Sequence, residues 1–462
     1  MSHLPVWLRL CAALTIAGVS ATALADLRPP TLYRFLEGTQ ISSPVNPAIP
    51  LTGRMDLVPD PGGPVPDRYR VIRFRAVGPL QPPLEGAGEY WIGVDPLGNA
   101  AHQMILDIES DAGIRHFDSG VVPRLSRFPM IEIRLAEVPG PIDNELIIIA
   151  APIEQVWFST EMGFHPDTGG YVSEGDLINN GGRVVATNHH LTRNLGIMPI
   201  PPDIGLDALL SVEVDTPHGW EQWFSANQDV FSERIGMLYA GDLLSERGDV
   251  VRRNADLIAA FQPGPVPRDV GLDAIGNGSC RCLWFSVEQD FWSESLGMMV
   301  GHGDLLAEHG EIMARNAKLL EHFQPAHPTV DLGLDAYHYR WDTGEFWFLL
   351  RDGFDDMRWG WISDGDLLSD SGWIVYRNLR LVERFHPLED AANFGLDALH
   401  VVPFPEGDVD FDGVVGLGDL AMLLSHFGTI GTARYEDGDL DFDLDVDLSD
   451  LARLLANFGS GV

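Results

Sequence analysis

Residues 236–274 read GMLYAGDLLSERGDVVRRNADLIAAFQPGPVPRDVGLDA, and their pattern returns along the chain. Gly-Leu-Asp-Ala stands at 205–208, 271–274, 333–336 and 395–398. Gly-Asp-Leu stands at 175–177, 241–243, 303–305 and 365–367. Each Gly-Asp-Leu glycine is followed 13 residues later by Asn188, Asn254, Asn316 or Asn378, and 30 residues later by the Gly-Leu-Asp-Ala glycine. An aromatic pair leads each unit: Trp157-Phe158, Trp223-Phe224, Trp284-Phe285 and Trp347-Phe348. Self-similarity at a fixed period marks units that bury their faces on one another.

Within a unit, Trp-Phe-Ser reads as a short buried strand. A second strand, Gly236 to Asp242, runs into Gly-Asp-Leu-Leu. A turn at Gly248 leads to a third strand, Asp249 to Arg252. The recurring Asn reads as a helix N-cap. Leu257, Ile258 and Phe261 follow at helical spacing, and Pro263 ends the helix. Gly-Leu-Asp-Ala with its apolar tail is the fourth strand. The chain is therefore expected to be mainly β, with four-stranded repeats over 141–402 forming a small β-propeller. Four blades are expected, or five if the part before 140 contributes one; an open array is the competing arrangement. Gly395 to Val402 opens a fifth unit that does not continue, and Leu146 to Ala151 is expected to supply the equivalent strand before the first Trp-Phe. Residues 26–140 carry no repeat. Tyr69 to Phe74 and Ile131 to Leu135 alternate as half-exposed strands do, so this part is expected to be β-rich.

The repeated carboxylates are Asp207, Asp273, Asp335 and Asp397 in Gly-Leu-Asp-Ala, and Asp176, Asp242, Asp304 and Asp366 in Gly-Asp-Leu. A catalytic pair is needed once, whereas these recur in every unit. Side chains bonding nearby backbone in turns are the expected role, with repeated ion sites as the alternative. No catalytic residue is assigned. The sequence holds no His-Glu-x-x-His, no Gly-x-Ser-x-Gly and no phosphate-binding glycine loop. Of the 12 Trp, Trp359 and Trp361 with Trp341 and Trp373 form a dense group. Such rings serve either to pack between blades or to stack on sugars.

The net charge of −38, from 68 acidic against 30 basic residues, argues against nucleic acid and anionic membrane surfaces as partners. Residues 1–25 read as a secretory signal peptide, with Arg9, an apolar stretch from Leu10 to Val19 and Ala23-Leu24-Ala25 before the cleavage point. That stretch is too short for a membrane span of ~20 residues. Export to the extracellular space follows, and cleavage would remove Cys11. Cys280 and Cys282 are left, two apart, either as small residues flanking a hairpin or as a strained bridge.

Residues 407–462 change character. Asp408, Asp410 and Asp412, and 31 residues later Asp439, Asp441 and Asp443, occupy alternate positions of two 12-residue loops of the EF-hand kind. Hard carboxylate oxygens at positions 1, 3 and 5, a carbonyl at 7 and a closing acid at 12 wrap one Ca²⁺. Position 7 is Val414 or Asp445, and position 12 is Asp419 or Asp450. Position 8 is Val415 or Val446, apolar where paired loops touch. Leu420, Leu423, Leu424 and Phe427, like Leu451, Leu454, Leu455 and Phe458, then fall on one face of a helix.

This doublet resembles a type I dockerin over 407–459, with Asp at the closing position. The resemblance implies a small α-helical module with two Ca²⁺ ions. Their ligands would be Asp408, Asp410, Asp412, the Val414 carbonyl and Asp419, and Asp439, Asp441, Asp443, the Asp445 carbonyl and Asp450. Gly416 and Asp447, at position 9, would act through water. It also implies a cohesin-like protein partner and polysaccharide-degrading company. Two departures stand out: Leu444 replaces the usual Gly at position 6, and Leu417-Gly418 and Leu448-Ser449 replace the paired hydroxyls at positions 10 and 11. The whole reads as an exported, non-catalytic binding or structural protein: a β-repeat platform with a calcium-dependent docking module. The alternative is a secreted glycoside hydrolase, or another polysaccharide-degrading protein, delivered by that module.

Overall fold

A computed structural model describes residues 31–461 except 44–45, 61–67, 80–82, 96, 111–112, 125–129, 139–143, 199–201, 214–219, 266–268, 279–281, 328–330 and 342–343. The expected signal peptide, residues 1–25, and Cys280 lie outside the described residues. Among the described residues no helix is long and apolar enough to cross a membrane. Two compact units are present, Met1–Ile153 with Asp441–Asp443, and Glu154–Leu440 with Leu444–Val462.

The first unit is a closed antiparallel barrel. Its eight strands run in order Thr31–Phe35, Thr52–Pro59, Arg68–Val77, Leu84–Val94, Ala100–Ser110, Gly113–Asp118, Ile131–Glu137 and Glu145–Pro152. Closure comes from Tyr33 pairing with Pro152 and Phe35 with Ala150, which leaves those strands no unpaired edge. The alternation read in the sequence decides which side chains point inward. Ile131, Ile133 and Leu135 are buried while Arg134 is exposed. Met55, Phe74, Tyr90, Met104 and Leu106 fill the interior.

The apolar run Leu146 to Ala151 belongs to this barrel, between Ile131–Glu137 and Thr31–Phe35. It is not the missing strand of the first blade. A short run with no alternation fits any doubly covered strand, so its sequence could not choose between the two.

The repeats of the second unit form a four-bladed propeller-like ring. From the innermost strand outward, the second blade is Leu209–Glu213, Trp220–Phe224, Leu243–Ser245 and Val250–Arg252. The third is Ile275–Asn277, Leu283–Phe285, Leu305–Ala307 and Glu311–Ala314. The fourth is Ala336–Arg340, Glu345–Leu349, Leu367–Ser369 and Trp373–Tyr376. The first blade takes Gln155–Phe158, Leu177–Asn179 and Val184–Ala186 from the start of the array, and its innermost strand, Leu399–Val402, from the end. Gln155 pairs with Val402 and Phe158 with Leu399, so the unfinished fifth unit closes the ring. The innermost strands adjoin in cyclic order.

Every Phe of the Trp-Phe pairs is buried. Four apolar clusters fill the four gaps between adjacent blades. Polar staples cross the same gaps. Ser225 Oγ accepts from Ala208 N at 2.8 Å and donates to Leu272 O at 2.8 Å, tying its own blade to the next. Ser159 does the same between Ala398 N and Leu206 O.

Two details differ from the reading of the repeat. Gly236–Leu238 forms a two-stranded ribbon with Val230–Ser232 outside the blade, and Leu243–Ser245 is the blade strand. The recurring Asn is the first helical residue, not the cap. Asn254 Nδ2 donates to Gly271 O at 2.8 Å and its Oδ1 accepts from Val270 N at 3.0 Å, clamping the approach to Gly-Leu-Asp-Ala. The free N–H at the helix start is answered instead by the Gly-Asp-Leu aspartate. Asp176, Asp242 and Asp366 accept from Asn188 N, Asn254 N and Asn378 N at 2.7, 3.1 and 2.9 Å. Leu257, Ile258 and Phe261 are buried as their spacing requires.

Candidate metal centres

The C-terminal doublet folds as two loop–helix units, with helices Leu417–His426 and Leu448–Ala456. Each loop gathers positions 1, 3 and 12. Asp408, Asp410 and Asp419 place one carboxylate oxygen each within 4.8 Å of one another, and Asp439, Asp441 and Asp450 do likewise. Asp412, Asp443, Val414 and Asp445 are outside these two trios. The backbone holds the first trio open as a cup. Asp408 accepts from Asp412 N at 3.0 Å and Gly413 N at 2.7 Å, and Asp419 from Val409 N at 2.7 Å and Gly416 N at 2.6 Å. In the second loop Asp450 accepts from Leu440 N at 2.7 Å and Asp447 N at 2.8 Å. Asp447 instead accepts from Ser449 N and caps its helix.

Burial, with Asp419, Asp412 and Asp410 close by, pushes the Asp408 carboxyl up to about 8. A buried carboxyl among like charges takes up a proton or a cation, and an all-oxygen set suits a hard cation. The residues present therefore fit Ca²⁺, whose chemistry here would be structural.

The two loops differ at position 6. Gly413 has φ 94° and Leu444 has φ 78°, so both need the left-handed backbone that a glycine accepts without cost. Gly413 has a second reason to lack a side chain: a Cβ there would lie 2.0 Å from Gln155 Nε2 of the first blade. The first loop rests on that blade. Arg183 pairs with Asp412 at 2.7 Å, and Asn179 Nδ2 donates to Asp412 O at 3.2 Å. Arg384 lies over the Phe411 ring at 5.7 Å. Val415 and Val446 are fully buried. Val415 bonds through its backbone to Gly459 and Ser460, and Val446 to Gly428 and Thr429. Each loop thus pairs with the segment following the other loop's helix.

The helices bury Leu423 and Leu454 but leave Leu417, Leu424, Phe427 and their counterparts Leu448, Leu455 and Phe458 exposed.

A second acidic centre is formed by residues for which the sequence offers ion binding only as the alternative to a structural role. The two families of repeated aspartate have separate fates. Of the Gly-Asp-Leu set, Asp176, Asp242 and Asp366 answer helix starts, and Asp304 accepts from Gly301 N at 3.0 Å and pairs with Arg315. Those of Gly-Leu-Asp-Ala precede the innermost strands and are all buried, with an Oδ2 that meets no hydrogen-bond partner in Asp207, Asp273, Asp335 and Asp397 alike. Asp207 joins Asp273 and Glu288 in one trio of oxygens within 4.8 Å, and Asp335 joins Asp397 and Glu161 in another. Burial, then the neighbouring carboxylates, pushes Asp207 well above the ordinary carboxylate range, and burial with Glu161 brings Asp397 to about 7. Their signal in the sequence is the fourfold register; that these residues meet depends on ring closure.

The tryptophan group divides. Trp373 is buried and Arg358 lies 4.3 Å from both the Trp359 and Trp373 rings, whereas Trp341 and Trp361 are exposed. On the barrel, Arg68, Glu89, Trp91, Gln103, Ile105 and Val121 line a cleft of about 300 Å³. Cys282 is disulfide-bonded. Compared with family models, curated proteins and solved structures, the chain matches none.

Proposed function

We propose that this chain is an exported, non-catalytic binding or structural protein in which a propeller platform carries a calcium-dependent docking module. The observation that supports it most is the same placement of positions 1, 3 and 12 in both C-terminal loops. Calcium neutralises each cup and fixes the orientation of the helix that starts at its rim. The paired exposed residues Leu417 and Leu448, Leu424 and Leu455, and Phe427 and Phe458 then offer a near-symmetric apolar face to a cohesin-like protein partner. The contacts of Asp412 and Gly413 with the first blade keep the module seated on the platform.

The test is thermal unfolding of the full chain in calcium and in chelator, combined with exposure to a panel of polysaccharides. Calcium is expected to raise the melting temperature, and any polysaccharide retained is expected to be released intact. A melting temperature indifferent to calcium overturns the docking module. Product release overturns the non-catalytic reading in favour of a polysaccharide-degrading enzyme.

A further inference from the structure

We propose that the axis of the propeller is itself a binding site for a hard divalent cation of the calcium type, held by Asp207, Asp273, Asp335 and Asp397 with Glu161 and Glu288. This site is separate from the C-terminal loops and does not depend on them.

Geometry comes first. In each trio, Asp207–Asp273–Glu288 and Asp335–Asp397–Glu161, one oxygen from each residue lies within 4.8 Å of the others. Three atoms no more than 4.8 Å apart lie within about 2.8 Å of a common point, so a small inward shift brings all three to a Ca–O distance of ~2.4 Å. The second observation is the set of four buried Oδ2 atoms without a hydrogen-bond partner. Ordinary folded chains satisfy such atoms. An ion contacts oxygens without requiring them to touch one another.

The third observation is how the ring varies. Four residues after each repeated Trp stand Glu161, Asn227, Glu288 and Arg351. Each packs where a Cβ on the glycine of a Gly-Leu-Asp-Ala would fall: Glu161 at Gly395, Asn227 at Gly205, Glu288 at Gly271 and Arg351 at Gly333. They form a second ring beside the aspartates. Acids occupy it on the first and third blades, which face each other across the axis, and both trios are found there. Asn227 and Arg351 occupy the other two blades. Arg351 supplies one positive charge against six carboxylates. A purely structural ring would have no need for two extra acids placed at the two trios. Glu161 is exposed, so its trio opens to solvent and gives an ion a way in.

The experiment uses the full chain carrying Asp408→Ala and Asp439→Ala, which removes a ligand from each C-terminal loop. After chelator treatment, equilibrium dialysis against CaCl₂, and in parallel MgCl₂ and MnCl₂, is read by elemental analysis. The chain is expected to retain a divalent ion, and adding Asp335→Asn with Asp397→Asn is expected to remove the share held at that trio while leaving the ion-free protein as stable or more stable. Should the double Asn variant not fold, Glu161→Gln at the exposed mouth is expected to weaken retention by about tenfold or more. No retention of any of the three metals by the loop-disabled chain, or retention unchanged by the axial variants, overturns the site.

Discussion

The C-terminal loops and the propeller axis are both clusters of aspartates with a buried centre, assembled in opposite ways. In the loops every participant lies within 12 residues, and the loop's own N–H groups hold the carboxylates before any ion arrives. At the axis the four aspartates are 62 or 66 residues apart in sequence and meet only because four blades close on a centre. Their second oxygens are left to one another's company. A local cluster can form with its loop; a cluster built by symmetry exists only after the whole ring does.

The difference can be probed from the side of the ring first, where the largest change is expected. His400, on the closing strand, lies 5.3 Å from His338 between ring centroids, with Trp157 also packed on it. His338 Nδ1 accepts from Val401 N at 3.3 Å. Burial lowers both histidines, His338 further through His400 and Arg340, and His400 falls to about 4. The folded ring therefore binds fewer protons than the unfolded chain below the ordinary histidine pKa of ~6.5. Stability from His400 is complete above that pH and declines as pH falls from ~6.5 toward 4, by about 3 kcal/mol. Chemical denaturation of His400→Gln beside the parent across this window should show the variant's curve flatter by that amount. Parallel curves would remove the histidine from the account.

On the loop side, Asp408→Ala should weaken calcium binding at the first loop by about 100-fold, since even outer-shell changes cost 10–100-fold. The propeller should stay intact, because Asp408 contacts only its own loop among the bonds described. Calorimetric titration with unchanged affinity and stoichiometry would count against the ligand assignment.

Back on the ring, Ser225→Ala strands Ala208 N and Leu272 O in a dry gap and should cost about 2 kcal/mol. Urea unfolding reads this directly; a loss under about 0.5 kcal/mol would mean that the staple does little for closure.

The smallest effect separates the two loops from each other. Leu444→Gly relieves a left-handed leucine and should raise stability by about 0.5 kcal/mol, the steric relief exceeding the added backbone entropy only modestly. Gly413→Ala should go the other way, because Gln155 Nε2 occupies the place of its Cβ. Equal effects in both loops would mean that the first blade does not constrain the first loop.

What could be read from the residues follows the same division. The repeat register was visible, and with it the four blades, because periodic glycines and aromatics impose the same local turns each time. Positions 1, 3 and 12 of the loops were visible because their geometry is set by nearby chain. The barrel was not foreseen beyond alternating strands: closure rests on Tyr33 meeting Pro152, which no local pattern announces. The Asn role is not legible locally because Asn254 acts on Val270 and Gly271, 16 and 17 residues on, while the helix-start N–H is met by Asp242. The axial aspartates shared a motif with their own backbone turns and looked like the Gly-Asp-Leu set. Only their placement around a common axis tells the two sets apart.

The account turns on whether these two kinds of carboxylate cluster hold ions. A crystal of the full chain grown in calcium, measured at a long wavelength where calcium scatters anomalously, decides it. The account predicts anomalous peaks among Asp408, Asp410 and Asp419, among Asp439, Asp441 and Asp450, and at the propeller axis between the aspartates and Glu161 or Glu288. Well-ordered protein density with no anomalous peak at either kind of cluster would contradict it.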